Sequence, residues 1–267
     1  MSLEARPAPA VSSVAGARAG PGRRDERELA GAWTRFQRHE FPTPSPDLAG
    51  YVERYWVVSW HYEEPYRQLI VPYPNVHLTF RHDGVFVHGV AGRRQIRVLE
   101  GRGGVLGVAF RPGRFRPFLG APVASVTNRV LDAAEVFPGL PRDPDVAAVE
   151  EYLRARLPEP DPRSEEAGAI VDRIAAEPGI TRVDALAAEL GTTVRRLQRV
   201  FAEHVGIGPK WVIRRYRLRE VTNTLESGGG VDWAGLAADL GYADQAHFTR
   251  DFRAMFGEAP TQYAARY

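Results

Sequence analysis

The sequence predicts an α+β protein of two domains, a β-rich amino-terminal domain and an all-α carboxy-terminal domain. Two observations predict this division. Before residue 157, short apolar segments alternate with polar residues, as they do in strands. After Ser164, apolar residues recur with the 3.6-residue period of amphipathic helices, and glycines separate the helices. Between the two patterns, "LPEPDPRSEE" combines three prolines with clustered charges, which is typical of an interdomain linker.

The composition fits two globular domains and excludes several classes of protein. The chain has 267 residues, 44% of them hydrophobic and 25% charged, with a net charge of +2. It has no cysteine, which excludes disulfides, thiolate catalysis and cysteine-ligated zinc. No apolar run is long enough to span a membrane, and the amino terminus lacks the apolar core of a secretory signal. We expect a cytoplasmic protein with no membrane partner.

The order of segments predicts four regions. Residues 1–40 are rich in Ala, Gly, Pro and Arg without periodicity, so we expect a disordered tail. Residues 41–157 form the β-rich domain, residues 158–165 the linker, and residues 166–267 the helical domain.

The β-rich domain is expected to be barrel- or sandwich-like, with a helical end. In "RYWVVSWHY", Trp56, Val58 and Trp60 share one face of a strand, and Tyr55 and Val57 the other. Further strands are predicted at "VHLTF", at "VFVHGV" after an Asp-Gly turn, and at "GVLGVAF". "RPGRFRPFLG" and "DPDVAAVEEYLRARL" have helical patterns.

The helical domain contains a unit that occurs twice. "LAAELG", from Leu186, matches "LAADLG", from Leu236, at an offset of 50 residues. Beyond the turn, an arginine, a phenylalanine, a glycine and a proline recur at an offset of 51: they are Arg199, Phe201, Gly206 and Pro209 in the first copy and Arg250, Phe252, Gly257 and Pro260 in the second. Two copies are too few for a solenoid, so we expect two compact modules.

Each copy has the pattern of a helix-turn-helix. The first helix ends at a glycine that can adopt positive φ, and Thr193 or Asp244 then caps the second helix. A connector helix, "KWVIRRYRLREVTNTLESGGG", joins the modules; its apolar residues recur seven apart, and three glycines end it.

The second helix of each copy is predicted to expose side chains that suit nucleic acid. The first copy exposes Arg195, Arg196, Gln198 and Arg199, and the second exposes Gln245, His247, Thr249 and Arg250. Guanidinium groups match guanine edges in the major groove, and glutamine matches adenine. Between Arg195 and Arg219, eight basic residues face one acidic residue, which favours an anionic polymer. Intramolecular salt bridges of Arg199 and Arg250 remain the alternative.

Residues 166–267 resemble the tandem helix-turn-helix domain of AraC/XylS-family transcription regulators, on "LAAELGTTVRRLQRVFAEHVGIGP" and "GYADQAHFTRDF" followed by "FGEAPTQY". The resemblance implies contacts with DNA bases from Arg195, Gln198, Arg199, Gln245, His247 and Arg250. We add phosphate contacts from Arg196, Lys210, Arg214 and Thr249. The function expected is sequence-specific regulation of transcription, with two recognition helices in successive major grooves of double-stranded DNA.

The amino-terminal domain resembles an uncharacterised domain that recurs in such regulators, on "RYWVV", "LIVPYPNVHLTF", "VHGV" and "FRPGRFRPFLGAPVASVTNRVLDAAEVF". An effector site formed by Trp56, Trp60, Arg111 and Arg114 is one hypothesis, and core packing and salt bridges are the alternative. RNA polymerase, a small-molecule effector and a second copy stay open as further partners. The sequence contains no catalytic constellation, and we expect no enzyme activity, no metal and no cofactor. The alternative is a catalytic or interaction module that the helical domain localises to DNA.

Overall fold

The structure, a computed structural model, describes residues 32–226 and 232–265. The predicted α+β architecture of two domains is confirmed. Most of the predicted tail, residues 1–31, lies outside the described residues, as do the three glycines after the connector helix. Residues 33–40 depart from the prediction of disorder, because they form a short helix, α1 (Trp33–Phe36), and a strand, β1 (Arg38–Glu40). This strand pairs with residues Val57–Ser59, a tertiary contact that the local sequence does not encode.

The amino-terminal domain is built on one antiparallel sheet of six strands in the order β1-β2-β5-β3-β4-β6. After β1 the strands are β2 (Val52–Ile70), β3 (His77–Arg81), β4 (Gly84–His88), β5 (Gln95–Phe110) and β6 (Val130–Asp132). The sheet has β1 and β6 as its edges, and its two longest strands, β2 and β5, are neighbours that pair from Val52–Phe110 to Ile70–Gln95.

The two faces of the sheet are packed differently. Tyr55 and Val57 belong to a core that the helical segments cover, including α2 (Arg116–Leu119) and α3 (Val146–Arg154). On the opposite face, Trp56 lies over Gly107 and Trp60 over Gly103 of the paired strand β5. The indole of Trp56 is so close that a Cβ atom at Gly107 would lie 2.0 Å from it. These glycines are therefore required by the packing of the tryptophans.

The carboxy-terminal domain consists of two helical modules with separate cores. The first contains α4 (Pro162–Ala176), α5 (Val183–Glu189) and α6 (Val194–Val200), followed by a π-helical turn, Phe201–Val205. The second contains α8 (Trp233–Asp239), α9 (Gln245–Phe256) and α10 (Pro260–Ala264). None of the helices in the described part of the chain is long and apolar enough to cross a membrane.

The connector helix α7 (Pro209–Glu226) belongs to both modules. Val212 and Ile213 pack in the core of the first module, whereas Leu218 and Val221 pack in the core of the second. Because one helix completes both cores, a rotation of either module about α7 would expose apolar side chains to water.

The predicted linker, residues 158–165, is shorter in the structure. Helix α4 begins within it, at Pro162, because Asp161 caps the helix: its carboxylate accepts hydrogen bonds from the Arg163 backbone N–H (3.1 Å) and the Ser164 hydroxyl (2.7 Å).

Candidate nucleic-acid interface

The two helix-turn-helix units have the same turn geometry. Gly191 and Gly241 both adopt positive φ, 60° and 65°, at the position where the first helix of each unit ends. The next residue donates its backbone N–H across the turn in each copy, from Thr192 to Ala187 and from Tyr242 to Ala237, at 2.9 Å in both. The duplicated sequence therefore folds into a duplicated structure.

The second helix of each unit begins with the predicted side-chain cap. Thr193 Oγ1 accepts a hydrogen bond from the Arg196 backbone N–H at 3.2 Å, and Asp244 Oδ1 accepts one from the His247 N–H at 2.6 Å. Helices α6 and α9 thus start at equivalent positions. A cap fixes the orientation of the first helical turn, which carries side chains predicted to read DNA.

In α6, the residues predicted to contact DNA are exposed. Arg195, Arg196, Gln198 and Arg199 are exposed around the buried Leu197. Within the described residues, the guanidinium groups of these three arginines form no hydrogen bond and no ion pair. Intramolecular salt bridges, the alternative considered for Arg199, are therefore not observed, and the charge on this face is free to meet an anion.

The same exposure recurs in α9. Gln245, His247 and Arg250 are exposed and Thr249 is half-buried, whereas Phe248 and Phe252 pack in the core. The ring of His247 lies edge-on to Tyr242 at 5.2 Å between centroids, and its Nε2 is 3.8 Å from Asp251 Oδ2. These contacts orient the imidazole on the surface.

The charged stretch of α7 differs from the prediction. Lys210 is exposed, but Arg214 is half-buried and its Nη1 lies 3.2 Å from Asp251 Oδ1. Arg215 and Arg217 are buried, 2% and 8% exposed. The predicted phosphate contact from Arg214 is therefore revised: this side chain joins α7 to α9. The physical reason is that α7 lies between the two modules, so most of its surface is enclosed.

The enclosed arginines are held by carbonyl and aromatic groups. Arg215 donates from Nε to the Pro72 carbonyl at 2.6 Å, and its guanidinium lies 3.8 Å from the centre of the Tyr73 ring. Arg217 lies 4.9 Å from the Tyr242 ring. Burial lowers the pKa of both guanidinium groups, but an arginine starts high enough to stay protonated.

The four residues predicted to bind an effector are not brought together. Trp56 and Trp60 cover glycines of β5, as described above. Arg111 donates from Nε to the Ala49 carbonyl at 2.6 Å, and Arg114 lies against Gly168 of α4, where a Cβ atom would be 2.5 Å from Arg114 Nε. The structure thus does not assemble these four side chains into one site. Each contacts a segment that is distant in the sequence, and such contacts are not visible in a local pattern.

The structure instead contains a cavity of about 610 Å³ that the sequence did not indicate. It lies between the amino-terminal domain, the start of α4 and α6. Charged side chains from all three parts line it: Arg116, Asp161, Arg163, Glu166, Arg196, Arg199 and Glu203, with Val200 and His204. Arg116 is paired with Glu203 at 2.7 Å, which leaves the cavity with three unpaired arginines, Arg163, Arg196 and Arg199, in the described structure.

Two histidines of the sheet are desolvated. No cluster of three metal-binding side chains occurs among the described residues. His77 and His88 lie on the tryptophan face of the sheet, where Thr79 Oγ1 is 2.8 Å from His88 Nε2. Desolvation lowers the pKa of His77 to about 3 and that of His88 to about 4, so both rings are neutral at pH 7.

Two family matches cover both domains. Residues 40–132 match a domain of unknown function, DUF6597, and residues 186–266 match a helix-turn-helix domain. A search of curated proteins found no match to the chain.

Several solved structures resemble parts of the chain. A probable AraC family transcriptional regulator from Rhodopseudomonas palustris CGA009 is 27% identical over 36% of this chain and 92% of its own, with a TM-score of 0.33. The C-terminal domain of AraT, a response regulator from Geobacillus stearothermophilus, is 21% identical over 37% and 85%, with a TM-score of 0.33. ToxT from Vibrio cholerae O395 is 11% identical over 86% and 98%, with a TM-score of 0.38.

The helix-turn-helix match and the duplicated turns and caps lie in the same segment of the chain. The helix-turn-helix match spans α7 and parts of both modules, and both of their second helices present polar, exposed faces. The chain therefore joins a DUF6597 domain, at residues 40–132, to a helix-turn-helix domain of the AraC type, at residues 186–266.

Proposed function

We propose that this protein regulates transcription at specific DNA sequences by placing α6 and α9 in two successive major grooves. The observation that carries the proposal is the duplicated turn and cap, which present equivalent helices from modules that share α7. That helix has 18 residues, or about 27 Å at the usual rise of 1.5 Å per residue. Successive major grooves on one face of B-DNA lie about 34 Å apart, a similar distance.

The base contacts are proposed from the chemistry of the exposed side chains. Arg195 and Arg199 suit guanine O6 and N7, and Gln198 suits adenine N6 and N7. In the second helix Gln245, His247 and Arg250 have the corresponding role. Both faces are exposed, and among the described residues no ion pair competes for the guanidinium groups of α6.

Phosphate contacts are proposed from Arg196, Lys210 and Thr249, whereas Arg214 is assigned to the ion pair with Asp251. These contacts anchor the protein without sequence preference.

We place the boundary between the domains at residues 155–161, between α3 and α4.

Selection of bound duplexes from a random pool tests the function. We expect a consensus with two conserved blocks about one helical turn apart, and specific binding at least about a thousandfold tighter than binding to unrelated DNA. Equal affinity for selected and random duplexes, measured by fluorescence anisotropy at fixed salt, would instead show an architectural binder without sequence specificity.

A second proposal concerns control by a small anion. Four arginines and three carboxylates line the 610 Å³ cavity, and three of the arginines have no partner among the described residues. Two of these, Arg196 and Arg199, belong to α6. An anion bound there would compete with DNA for the same guanidinium groups.

Arg163→Ala removes one cavity arginine outside the helix-turn-helix units, so it should reduce inhibition of DNA binding by a tricarboxylate probe such as citrate while leaving DNA affinity unchanged. Arg182→Ala, an arginine away from the cavity, is the matched control. Equal inhibition of wild type and Arg163→Ala by citrate would contradict the proposal.

A further inference from the structure

The amino-terminal domain contacts the far ends of both recognition helices. We propose that it fixes the distance and the relative rotation of α6 and α9, and that Arg94 is the positioning residue in this role. The inference rests on the proposed function, because it concerns how two helices reach two grooves.

The first contact holds the end of the first recognition helix. After the π-helical turn, the Gly206 backbone has φ of 89° and its carbonyl accepts a hydrogen bond from Thr127 Oγ1 at 2.5 Å. The neighbouring Glu203 pairs with Arg116. Ile207 packs against the cores of both the amino-terminal domain and the first module. The chain that follows α6 is therefore seated directly on the amino-terminal domain.

The second contact reaches the core of the second module. Leu69, near the end of β2, is 3% exposed and packs in the same cluster as Leu218 and Val221 of α7. The buried Arg215 donates to the Pro72 carbonyl, and its guanidinium lies 3.8 Å from the centre of the Tyr73 ring and 5.6 Å from that of Phe256. A strand of one domain thus completes the interior of the other.

Arg94 makes the third contact, at the end of α9. Its Nη1 donates to the carbonyls of Arg253 and Ala254, at 3.1 and 2.9 Å. Carbonyls in the last turn of a helix carry its negative partial charge, so a guanidinium is well suited to them. The Arg253 carbonyl also accepts the Gly257 N–H that caps the helix, at 2.9 Å, and Arg94 uses its second lone pair. This bond ties the second recognition helix to the loop between β4 and β5.

The loop that carries Arg94 is itself braced. The Gly92 carbonyl accepts a hydrogen bond from Trp211 Nε1 of α7 at 2.9 Å, and the Gly92 N–H donates to Asn128 Oδ1 at 2.8 Å. Asn128 has φ of 59° and donates its own N–H to the Val90 carbonyl at 3.0 Å. Because Asn128 follows Thr127, the residue bonded to Gly206, one continuous set of contacts joins the ends of α6 and α9.

These contacts constrain the angle between the two modules, which α7 alone would leave variable. A helix of this length can bend, and a bend would change the angle between the two modules. Any such change would break the bond of Arg94 to α9 or that of Thr127 to Gly206. The amino-terminal domain therefore holds the recognition helices at one separation.

The test measures affinity as the spacing between half-sites is changed. Two half-sites from the selection are placed at the preferred spacing and at spacings one and two base pairs longer or shorter. A change of two base pairs rotates one groove relative to the other by about 70°, since B-DNA has about 10.5 base pairs per turn. The wild-type chain should lose about tenfold in affinity with such a change, and Arg94→Ala less than about threefold, because each 1.4 kcal/mol of strain costs a factor of ten.

Two further variants separate positioning from folding. Arg93→Ala is the matched control: Arg93 is exposed and makes no hydrogen bond or ion pair in the described structure, so its spacing profile should equal that of the wild type. Trp211→Phe, which removes the bond to Gly92 but keeps an aromatic ring, should relax the profile as Arg94→Ala does. Affinity for a single half-site and the melting temperature should change little in Arg94→Ala.

The inference is overturned by a spacing profile of Arg94→Ala that equals that of the wild type. Arg94→Ala binding more tightly at every spacing would also overturn it, since the contact would then inhibit DNA binding rather than set a distance. Failure of the proposed function has a different signature, because the wild-type chain itself would then show no preferred sequence or spacing.

Discussion

Arg214 of the connector helix and Asp251 of the second recognition helix form an ion pair, with Arg214 Nη1 3.2 Å from Asp251 Oδ1. The other oxygen of the same carboxylate lies 3.8 Å from Nε2 of His247, one turn earlier on α9. One acidic residue thus fixes α9 against α7 and orients a side chain proposed to contact DNA. Its role explains why a basic residue of α7 is not available to a phosphate.

Replacement of the Asp251 carboxylate should affect both the stability of the protein and its discrimination between DNA bases. Asp251→Asn leaves the half-buried Arg214 without an ionic partner, and we expect a loss of about 1–3 kcal/mol in the free energy of unfolding. Discrimination at the base pair contacted by His247 should weaken as well. Urea denaturation and binding to single-base variants of the selected site measure the two effects.

The control for this variant is an exposed ion pair in the same domain. Arg182 and Asp184 form a short pair whose side chains are 71% and 56% exposed. Exposed pairs contribute little, so Asp184→Asn should change stability by less than about 0.5 kcal/mol. Similar losses for Asp251→Asn and Asp184→Asn would contradict the role assigned to the half-buried pair of Arg214 and Asp251.

Base contacts and phosphate contacts should respond differently to salt. Arg199→Ala is expected to relax discrimination at one base pair by about 1–3 kcal/mol. Lys210→Ala should weaken binding to all sequences alike and reduce the slope of log K against log salt by about one. Arg214→Ala, in contrast to Lys210→Ala, should leave the slope nearly unchanged because its charge is paired with Asp251. Fluorescence anisotropy over a series of salt concentrations distinguishes these cases, and equal slope changes for Lys210→Ala and Arg214→Ala would refute the assignment.

The tryptophan face of the sheet provides a third prediction. Gly107→Ala places a methyl group into the Trp56 indole, so the ring must move, and we expect a loss of about 1–3 kcal/mol from overpacking. Gly104, three residues earlier on the same strand, is the matched control, because the nearest atom to its added Cβ is the Val58 carbonyl oxygen at 3.5 Å. Gly104→Ala should be neutral or slightly stabilising. The two melting temperatures decide the matter, and equal values would show that the ring adjusts without cost.

The parts of the structure that the sequence predicts well are encoded locally. Gly191, Thr193 and Asp244 act within a few residues of their own position, so the two turns and caps could be placed from the sequence alone. The burial of Arg215 and Arg217 could not, because it depends on an aromatic face and a carbonyl from distant parts of the chain. The same is true of Arg94, whose partners on α9 lie 159 and 160 residues away. The number of basic residues along α7 therefore overestimates the number of charges that are exposed and available to DNA.

The desolvated histidines of the sheet, His77 and His88, predict a loss of stability in mild acid. The pKa of His77 is lowered to about 3 and that of His88 to about 4, against 6.5 for an unperturbed histidine. Below pH 6.5 the unfolded chain binds protons that the folded chain does not, so the free energy of unfolding falls as the pH falls. Each histidine contributes up to about 1.4 kcal/mol per pH unit between its two pKa values.

Urea denaturation of His77→Gln at pH 7, 6 and 5 should show a shallower decline in the free energy of unfolding than the wild type. His82→Gln, at an exposed position on the turn after β3, should follow the wild-type curve. A His77→Gln curve parallel to the wild type would show that His77 takes up its proton in the folded protein as readily as in the unfolded chain.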